Sequence, residues 1–509
     1  MKNILGTQIN RAPVVFILLL LFAFPAAGSS FRVQCPKQTD LHPLVNSSGL
    51  AGKPDSTLPN PGIKCQEISG GDGYATMGDG TQTYLFAFGP LSGLDLIKSG
   101  QPGTQTAKEF CGTWGADGSC TGEFNNPMLP DGTTPDPLFN SALPTNLNGA
   151  ITTPAEIMQT GVLNGNFPAP LMAIDEGDEY FLTLSNVGMI MRPDLFEQHT
   201  VHFHGYPNAS SYFDGVPDAS AAINISGSFT YYYTAPDAGT YFFHCHITPP
   251  EHLQMGMVGQ LFVRPRQNRV AVGSDLRTAL VASNQLAPGS TDGISCSDIL
   301  CTGQTPAPLA TALRAPASIK YAYNDGDGST AYDVEYSIQM MGFDPAFHFI
   351  GMTFNPEPFA GMKDKEFMLS GRSYPDTVNT EAISTQGSDG VSRPAQPLPT
   401  LITINKSQGQ KRALLRLSDL SVTEFTTLGT IGIPMLVIAD NARLLRDMAG
   451  NNLYYNTNSI TMGGGESKDV ILDASNIPTG TYFLYSTNLD HLSNDAENFG
   501  GMMTEIIVQ

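Results

Sequence analysis

Short apolar runs recur along the chain, broken by Gly, Pro, Asp and Asn. Tyr180-Phe-Leu-Thr-Leu, Phe229-Thr-Tyr-Tyr-Tyr, Thr240-Tyr-Phe-Phe and Gln260-Leu-Phe-Val are rich in β-branched and aromatic residues and are separated by turn signals. This cadence predicts the strands of a β-sandwich between Gly161 and Pro265. A second strand-rich block runs from 316 to 509. The organisation read from the pattern is a leader over 1–28, an irregular extension over 29–70, a first sandwich block over 71–265, a linker over 266–315 and the second block over 316–509.

The end of the second block echoes the end of the first. Ala238-Gly-Thr-Tyr-Phe-Phe-His-Cys-His parallels Thr479-Gly-Thr-Tyr-Phe-Leu-Tyr-Ser-Thr, and each is followed by a Gly-Met pair and an apolar strand. The echo predicts two sandwiches related by duplication. Tyr485, Ser486 and Thr487 stand where His244, Cys245 and His246 stand in the first copy, so the second is expected to keep the scaffold without the metal ligands.

Composition narrows the class. Charged residues are 14% of the 509 residues, Gly and Pro number 52 and 37, and the net charge is −21. Such a surface repels nucleic acid and anionic membranes. Lys2 and Arg11, the apolar run Val14 to Phe24 and the small residues Ala26-Ala27-Gly28 read as a secretory signal, which predicts a periplasmic or extracellular protein with no membrane span once it is cleaved. Six of the seven cysteines suit local disulfides, with Cys35 near Cys65, Cys111 near Cys120 and Cys296 near Cys301. Cys245 is left over. The sequons at Asn46, Asn208, Asn224 and Asn405 matter only in a glycosylating host.

Six of the nine histidines fall between His199 and His252. They form the sets His199-x-x-His202-x-His204 and His244-Cys245-His246, followed by His252 and Met257. Alternate residues of a strand share a face, so His202 and His204 point one way, as do His244 and His246, while Cys245 points to the other side. Two adjacent strands then offer four imidazoles on one side and a thiolate on the other. A His2Cys set with a weak axial thioether suits copper of type 1, with His199, Cys245 and His252 in the plane and Met257, or else Met255, on the axis. Zinc and a loose histidine tract are the competing readings. His42, His348 and His491 lie outside the sets and read as structural, His491 also as a relic of the repeat.

The run His202-Phe-His-Gly, then Phe213-Asp-Gly-Val-Pro, Gly239-Thr-Tyr-Phe-Phe-His-Cys-His and His252 to Met257 resembles the multicopper oxidases. Leu369-Ser-Gly-Arg-Ser-Tyr-Pro-Asp, Leu401-Ile-Thr-Ile-Asn-Lys and Leu414-Leu-Arg-Leu-Ser resemble a ligand-free cupredoxin domain of those enzymes. The resemblance implies an all-β fold of tandem Greek-key cupredoxin sandwiches. It also implies one-electron oxidation of a small reductant or metal ion at type 1 copper, with electrons passed to a type 2/type 3 cluster that reduces dioxygen. By resemblance His202 would hold the type 2 copper, and His204, His244 and His246 the type 3 pair. Asp214 matches an acidic position that could supply protons, and it also reads as a turn residue before Gly215.

The family's cluster takes eight histidines, and this chain has four in the right setting. A second copy, another protein or no cluster at all are the possible resolutions. The last would make the chain a blue-copper electron carrier or a relative of copper nitrite reductase, although the His-Cys-His triplet is the oxidase form. Copper buffering would need a longer Met-rich segment than Met255-Gly-Met257.

Overall fold

The computed structural model describes residues 31–116, 118, 120, 149–206, 210–286, 312–351, 359–447 and 450–509. The leader, the pair Cys296 and Cys301, and Asn208 lie outside them.

In the first block two sheets face each other. One has the order Gln82–Pro90, Ile63–Thr76, Glu179–Gly188, Ser228–Thr234, with Gln105–Thr106 added beside Ile63–Thr76. The other runs Met172–Asp175, Val258–Arg264, Gly239–His244, His202–His204. The four runs singled out in the sequence fall in Glu179–Gly188, Ser228–Thr234, Gly239–His244 and Val258–Arg264. Their alternate apolar residues, Leu182, Leu184, Tyr231 and Tyr233 from one sheet and Phe203, Phe243, Leu261 and Val263 from the other, bury between the layers. The first strand starts at Ile63, ahead of the expected start at 71, because Cys65 and Ile68 belong to buried faces. The expected linker carries an α-helix, Leu276–Leu286.

The second block repeats the plan. One sheet runs Glu366–Leu369, Val334–Phe343, Arg412–Asp419, Ser467–Asp473, Met435–Asp440, Arg443–Leu444, with Tyr455–Thr457 beside Met435–Asp440. Its partner runs Ile402–Ile404, Met503–Val508, Gly480–Ser486, Thr426–Thr430, Ser459–Met462. Both blocks pair their first long strand in parallel with the next one inward: Ile63–Thr76 with Glu179–Gly188, and Val334–Phe343 with Arg412–Asp419. The fold is a tandem of two β-sandwiches.

The blocks meet through a buried polar seam. Arg416 is fully buried, bonds Glu335 at 3.0 Å and lies over the Phe262 ring with its guanidinium carbon 4.5 Å from the centroid. Thr240 Oγ1 donates to Asp469, and Gln260 Nε2 donates to Ser418 and to the Arg416 carbonyl. The back of the sheet that carries Gly239–His244 is thereby fixed to the second block. Disulfides join Cys35 to Cys65 and Cys111 to Cys120, and Cys245 is free and buried.

Candidate metal centre

Cys245 follows the strand Gly239–His244, His252 sits in the helix Pro249–Gln254, and Met257 leads into the strand Val258–Arg264. Main-chain bonds close this loop on itself: Cys245 N–H donates to the Met257 carbonyl at 3.1 Å, and Met257 N–H to the His252 carbonyl at 2.8 Å. His199 enters from the segment before His202–His204, bridged to Ile223. The ligand atoms of His199, Cys245 and His252 lie within 4.8 Å of one another. All three residues and Met257 are fully buried.

Gly70 makes the room. A Cβ there would lie 2.5 Å from His199 Cδ2 and 3.3 Å from the Met257 methyl. Met257 therefore stands beside His199 over one bare stretch of strand. Met255 instead forms the end of the helix, its N–H bonded to the Glu251 carbonyl.

The chemistry of these donors fits a metal ion. Both ring nitrogens of His199 are buried without a hydrogen-bond partner, a costly state for polar atoms unless a metal takes one of them. Burial, then the nearby His252, holds His199 well below the usual imidazole range, so it is a neutral donor. His252 Nδ1 lies 3.2 Å from Cys245 Sγ, and the Thr200 N–H points at the same sulfur at 3.4 Å. Burial alone would raise the thiol, but His252 outweighs it and pulls Cys245 below its ordinary value. In the same way burial would lower His252, yet the Cys245 thiolate and Glu197 lift it to about 10. The pair thus favours the thiolate, the form that binds metal. His252 Nε2 is buried, 3.7 Å from the Glu197 carboxylate.

Across the strand lies the second set. His202 pairs with His244 in antiparallel register, and Phe203 between the histidines turns into the core. His202 Nδ1 donates to the Asp214 carbonyl at 2.7 Å, and His244 Nδ1 to the Cys245 carbonyl at 2.7 Å. A carbonyl only accepts, so both rings carry a proton on Nδ1, which leaves Nε2 as the nitrogen able to take a metal. His204 has the Gly465 backbone on its Nδ1 side, where a Cβ at 465 would come within 2.7 Å, and a hydrogen bond to that backbone. Its Nε2 lies 3.0 Å from His244 Nε2. Burial, then the neighbouring rings, pulls His204 to about 4, and burial takes His244 to about 3. At neutral pH two bare lone pairs therefore face each other, an arrangement that calls for a cation between them.

His202, His204 and His244 bring ligand atoms within 4.8 Å of one another. His246 flanks them, its ring centroid 5.1 Å from that of His202. His202, His204 and His246 are half-buried, so this face is open. A cleft of about 330 Å³ beside His204 is lined by Phe242, Leu253, Thr423, Glu424 and Gly463 to Gly465. The Asp214 carboxylate comes within 3.5 Å of His202 Nδ1.

The other three histidines are held elsewhere. His42 Nδ1 lies 2.7 Å from Glu179. Both nitrogens of His348 rest against the Tyr84 and Gln254 carbonyls, and its ring stacks on Phe343. His491 sits between Ser486 and Glu424. Sequence reasoning missed Gly70, Thr200, Glu197 and Gly465. Gly70 belongs to a Ser-Gly-Gly-Asp-Gly run that reads as a turn but lies inside a strand, and the other three carry no local signal.

The multicopper oxidase family model matches residues 148–268. The multicopper oxidase MCE of Talaromyces pinophilus is 35% identical over 108 residues, 21% of this chain and 16% of that protein. The laccase abr2 of Aspergillus fumigatus is 34% identical over 109 residues, 21% of this chain and 17% of that one. The match thus spans about one sixth of the length of these relatives. The blue copper oxidase of Nitrosomonas europaea, 17% identical, aligns over 87% of this chain and 85% of its own with a TM-score of 0.49. The copper-ligand candidates His199 to Met257 all fall inside the segment that matches the multicopper oxidase family model.

Proposed function

We propose that the chain is an exported oxidoreductase that oxidises a small reductant or metal ion one electron at a time at His199, Cys245, His252 and Met257 and passes the electrons to dioxygen at the face of His202, His204, His244 and His246. One observation carries this reading. Two donor sets lie on opposite sides of one strand, joined through the single peptide between His244 and Cys245; in the first the ring nitrogens of His199 are buried without a partner, and in the second Nε2 of His204 and Nε2 of His244 meet at 3.0 Å. Copper held by these residues would supply the one-electron redox chemistry that the side chains lack. The chain's own part is to orient and insulate. The Thr200 N–H and His252 favour the thiolate form of the sulfur, the Asp214 and Cys245 carbonyls aim Nε2 of His202 and His244, and the Asp214 carboxylate stands close enough to His202 to relay a proton. His252, with Glu197 against its outer edge, is the point where a donor comes nearest to the buried thiolate. Units of 71–265 and 316–509 with a joining segment of 266–315 accommodate this division of labour.

All nine histidines lie among the described residues, and only four address the open face. We propose that a second copy brings its own four across a two-fold axis, because the half-buried rings of His202, His204 and His246 leave the face incomplete in one chain. The two disulfides suit an oxidising compartment, and among the described residues no helix is long and apolar enough to cross a membrane.

The test is EPR of the copper-loaded protein with copper per chain and molecular mass measured on the same sample. Type 1 and type 2 signals with an EPR-silent fraction, in an oligomer that consumes oxygen, are expected. A monomer with one copper per chain, a type 1 signal alone and no oxygen uptake would make the chain an electron carrier.

A further inference from the structure

The hydrogen-bond registers allow the two blocks to be matched residue by residue. His202 pairs with His244 in the first block and Gly429 with Tyr485 in the second. This sets Gly429 at the place of His202, and hence Thr426 at that of His199. The same match follows from the neighbouring strand, where His199 is bridged to Ile223 and Thr426 pairs with Met462. Ser486 then stands at the place of Cys245.

The loop after Ser486 repeats the loop after Cys245 bond for bond. Ser486 N–H donates to the Met502 carbonyl at 2.8 Å, as Cys245 N–H does to Met257 at 3.1 Å. Met502 N–H donates to the His491 carbonyl at 2.8 Å, as Met257 N–H does to His252 at 2.8 Å. His491 Nδ1 lies 3.1 Å from Ser486 Oγ, where His252 Nδ1 lies 3.2 Å from the Cys245 sulfur. The outer nitrogen of each ring meets a carboxylate two residues before the matched position: Glu424 at 3.0 Å from His491 and Glu197 at 3.7 Å from His252. His491 is 2% exposed, and Ser486 and Met502 are fully buried.

We infer that the second block contains a latent type 1 copper site in which His491 and Met502 remain in place and Ser486 has taken the position of the thiolate. The loss of ligands in this block is therefore narrower than its sequence suggests. The fourth position is filled from two sides. Thr426 replaces the imidazole, and the space that Gly70 leaves for His199 is taken by Met340. Gly70 pairs with Asn186 and Met340 with Asp419, matched positions of the two parallel strand pairs, and Met340 packs in the core of the second block. Where His199 has both nitrogens unpartnered, His491 has both satisfied, by a hydroxyl and a carboxylate. Hydrogen bonds occupy the place of the metal.

The chain Ser486–His491–Glu424 also has the connectivity of a hydrolytic triad. The serine is fully buried and the cleft reaches Glu424 but not Ser486, so no substrate can approach its oxygen. The relic reading accounts for the burial, and the hydrolytic one does not.

Ser486→Cys is close to isosteric and supplies the missing soft donor. In a Cys245→Ser background it should bind one further equivalent of copper(I), measured by competition with a chromophoric copper(I) chelator, and His491→Ala or Met502→Ala should abolish that gain. Adding Thr426→His and Met340→Gly should then give an intense visible thiolate-to-copper(II) band in a protein whose native thiolate site has been removed. Folded Ser486→Cys protein that gains no copper(I) would overturn the inference, as would a gain that survives loss of His491 and Met502. Because the native thiolate is absent throughout, the outcome is independent of whether the first site behaves as proposed.

Discussion

His244 and Cys245 are neighbours in the chain that face opposite sides of one strand, and the His244 Nδ1–H closes back on the Cys245 carbonyl at 2.7 Å. The covalent link and this bond join the thiolate site to the open histidine face by a few atoms. Cys245→Ser should abolish the visible thiolate-to-copper band and oxygen uptake together while copper bound at His202, His204 and His244 persists. Oxygen uptake that survives in Cys245→Ser, measured with an electrode, would remove the thiolate site from the reaction.

Gly70 decides whether the first site has room for its fourth ligand. A methyl group at 70 would lie 2.5 Å from His199 Cδ2, so Gly70→Ala must displace the ring or the strand. Copper affinity at the thiolate site should fall by about ten-fold or more, in the range seen when groups that orient a ligand are disturbed, and the visible band should weaken and shift. A band of native position and intensity in Gly70→Ala would show that His199 is not held there.

Gly465 belongs to the second block yet touches a candidate ligand of the first. Its φ of +90° and its approach to His204 Nδ1 both exclude a side chain. Gly465→Ala should weaken metal binding at the histidine face about ten-fold or more and leave the thiolate band intact. Gly409→Ala is the control: its φ is +83° but nothing lies within 4 Å of the added carbon. It should cost stability through backbone strain alone and leave both sites native. Equal effects from the two substitutions would reduce Gly465 to a turn residue.

Period-2 patterning made the sandwich legible, because Leu182, Leu184, Tyr231 and Tyr233 alternate with half-buried or polar neighbours. It also sorted Cys245 from its flanking histidines, since alternation along a strand is a local property. The supporting groups were not legible in the same way. Glu197 acts on His252 across 55 residues and Gly465 on His204 across 261, and only the packing of separate strands brings them together. His491 and Met502 could be found as an echo of the repeat. Their equivalence to His252 and Met257 needed the main-chain bonds, because the intervening loops differ in length.

Arg416 tests how far the second block supports the first. Its guanidinium is fully buried, bonded to Glu335 at 3.0 Å and 3.6 Å from Asp469, and its charged form is strongly favoured despite burial because those two carboxylates surround it. Removing one member of such a set strands the others. Arg416→Ala should destabilise the protein by about 3–5 kcal/mol, read from urea unfolding, and unfolding should expose both blocks together. A loss under about 1 kcal/mol would mean that water replaces the guanidinium and that the seam contributes little.

Asp72 gives the pH dependence a sign. Its carboxylate is buried in the first sheet, takes hydrogen bonds from the Tyr84 hydroxyl at 2.5 Å and the Met191 N–H at 2.7 Å, and burial lifts it from 3.8 to about 6 despite those bonds. The folded protein therefore holds a proton that the unfolded chain releases between about pH 4 and 6. Stability from this group is fully present below pH 4 and is lost as pH rises through 6, a cost of about 3 kcal/mol at neutral pH. Asparagine can accept from Met191 and donate to the Tyr84 oxygen, so Asp72→Asn keeps the contacts without the charge. Unfolding of the metal-free proteins at a series of pH values should show the variant gaining on the native chain from pH 4 to 7 and running parallel to it above. A native chain that instead gains on Asp72→Asn over that interval would mean that the ionised form of Asp72 is the favoured one in the folded state.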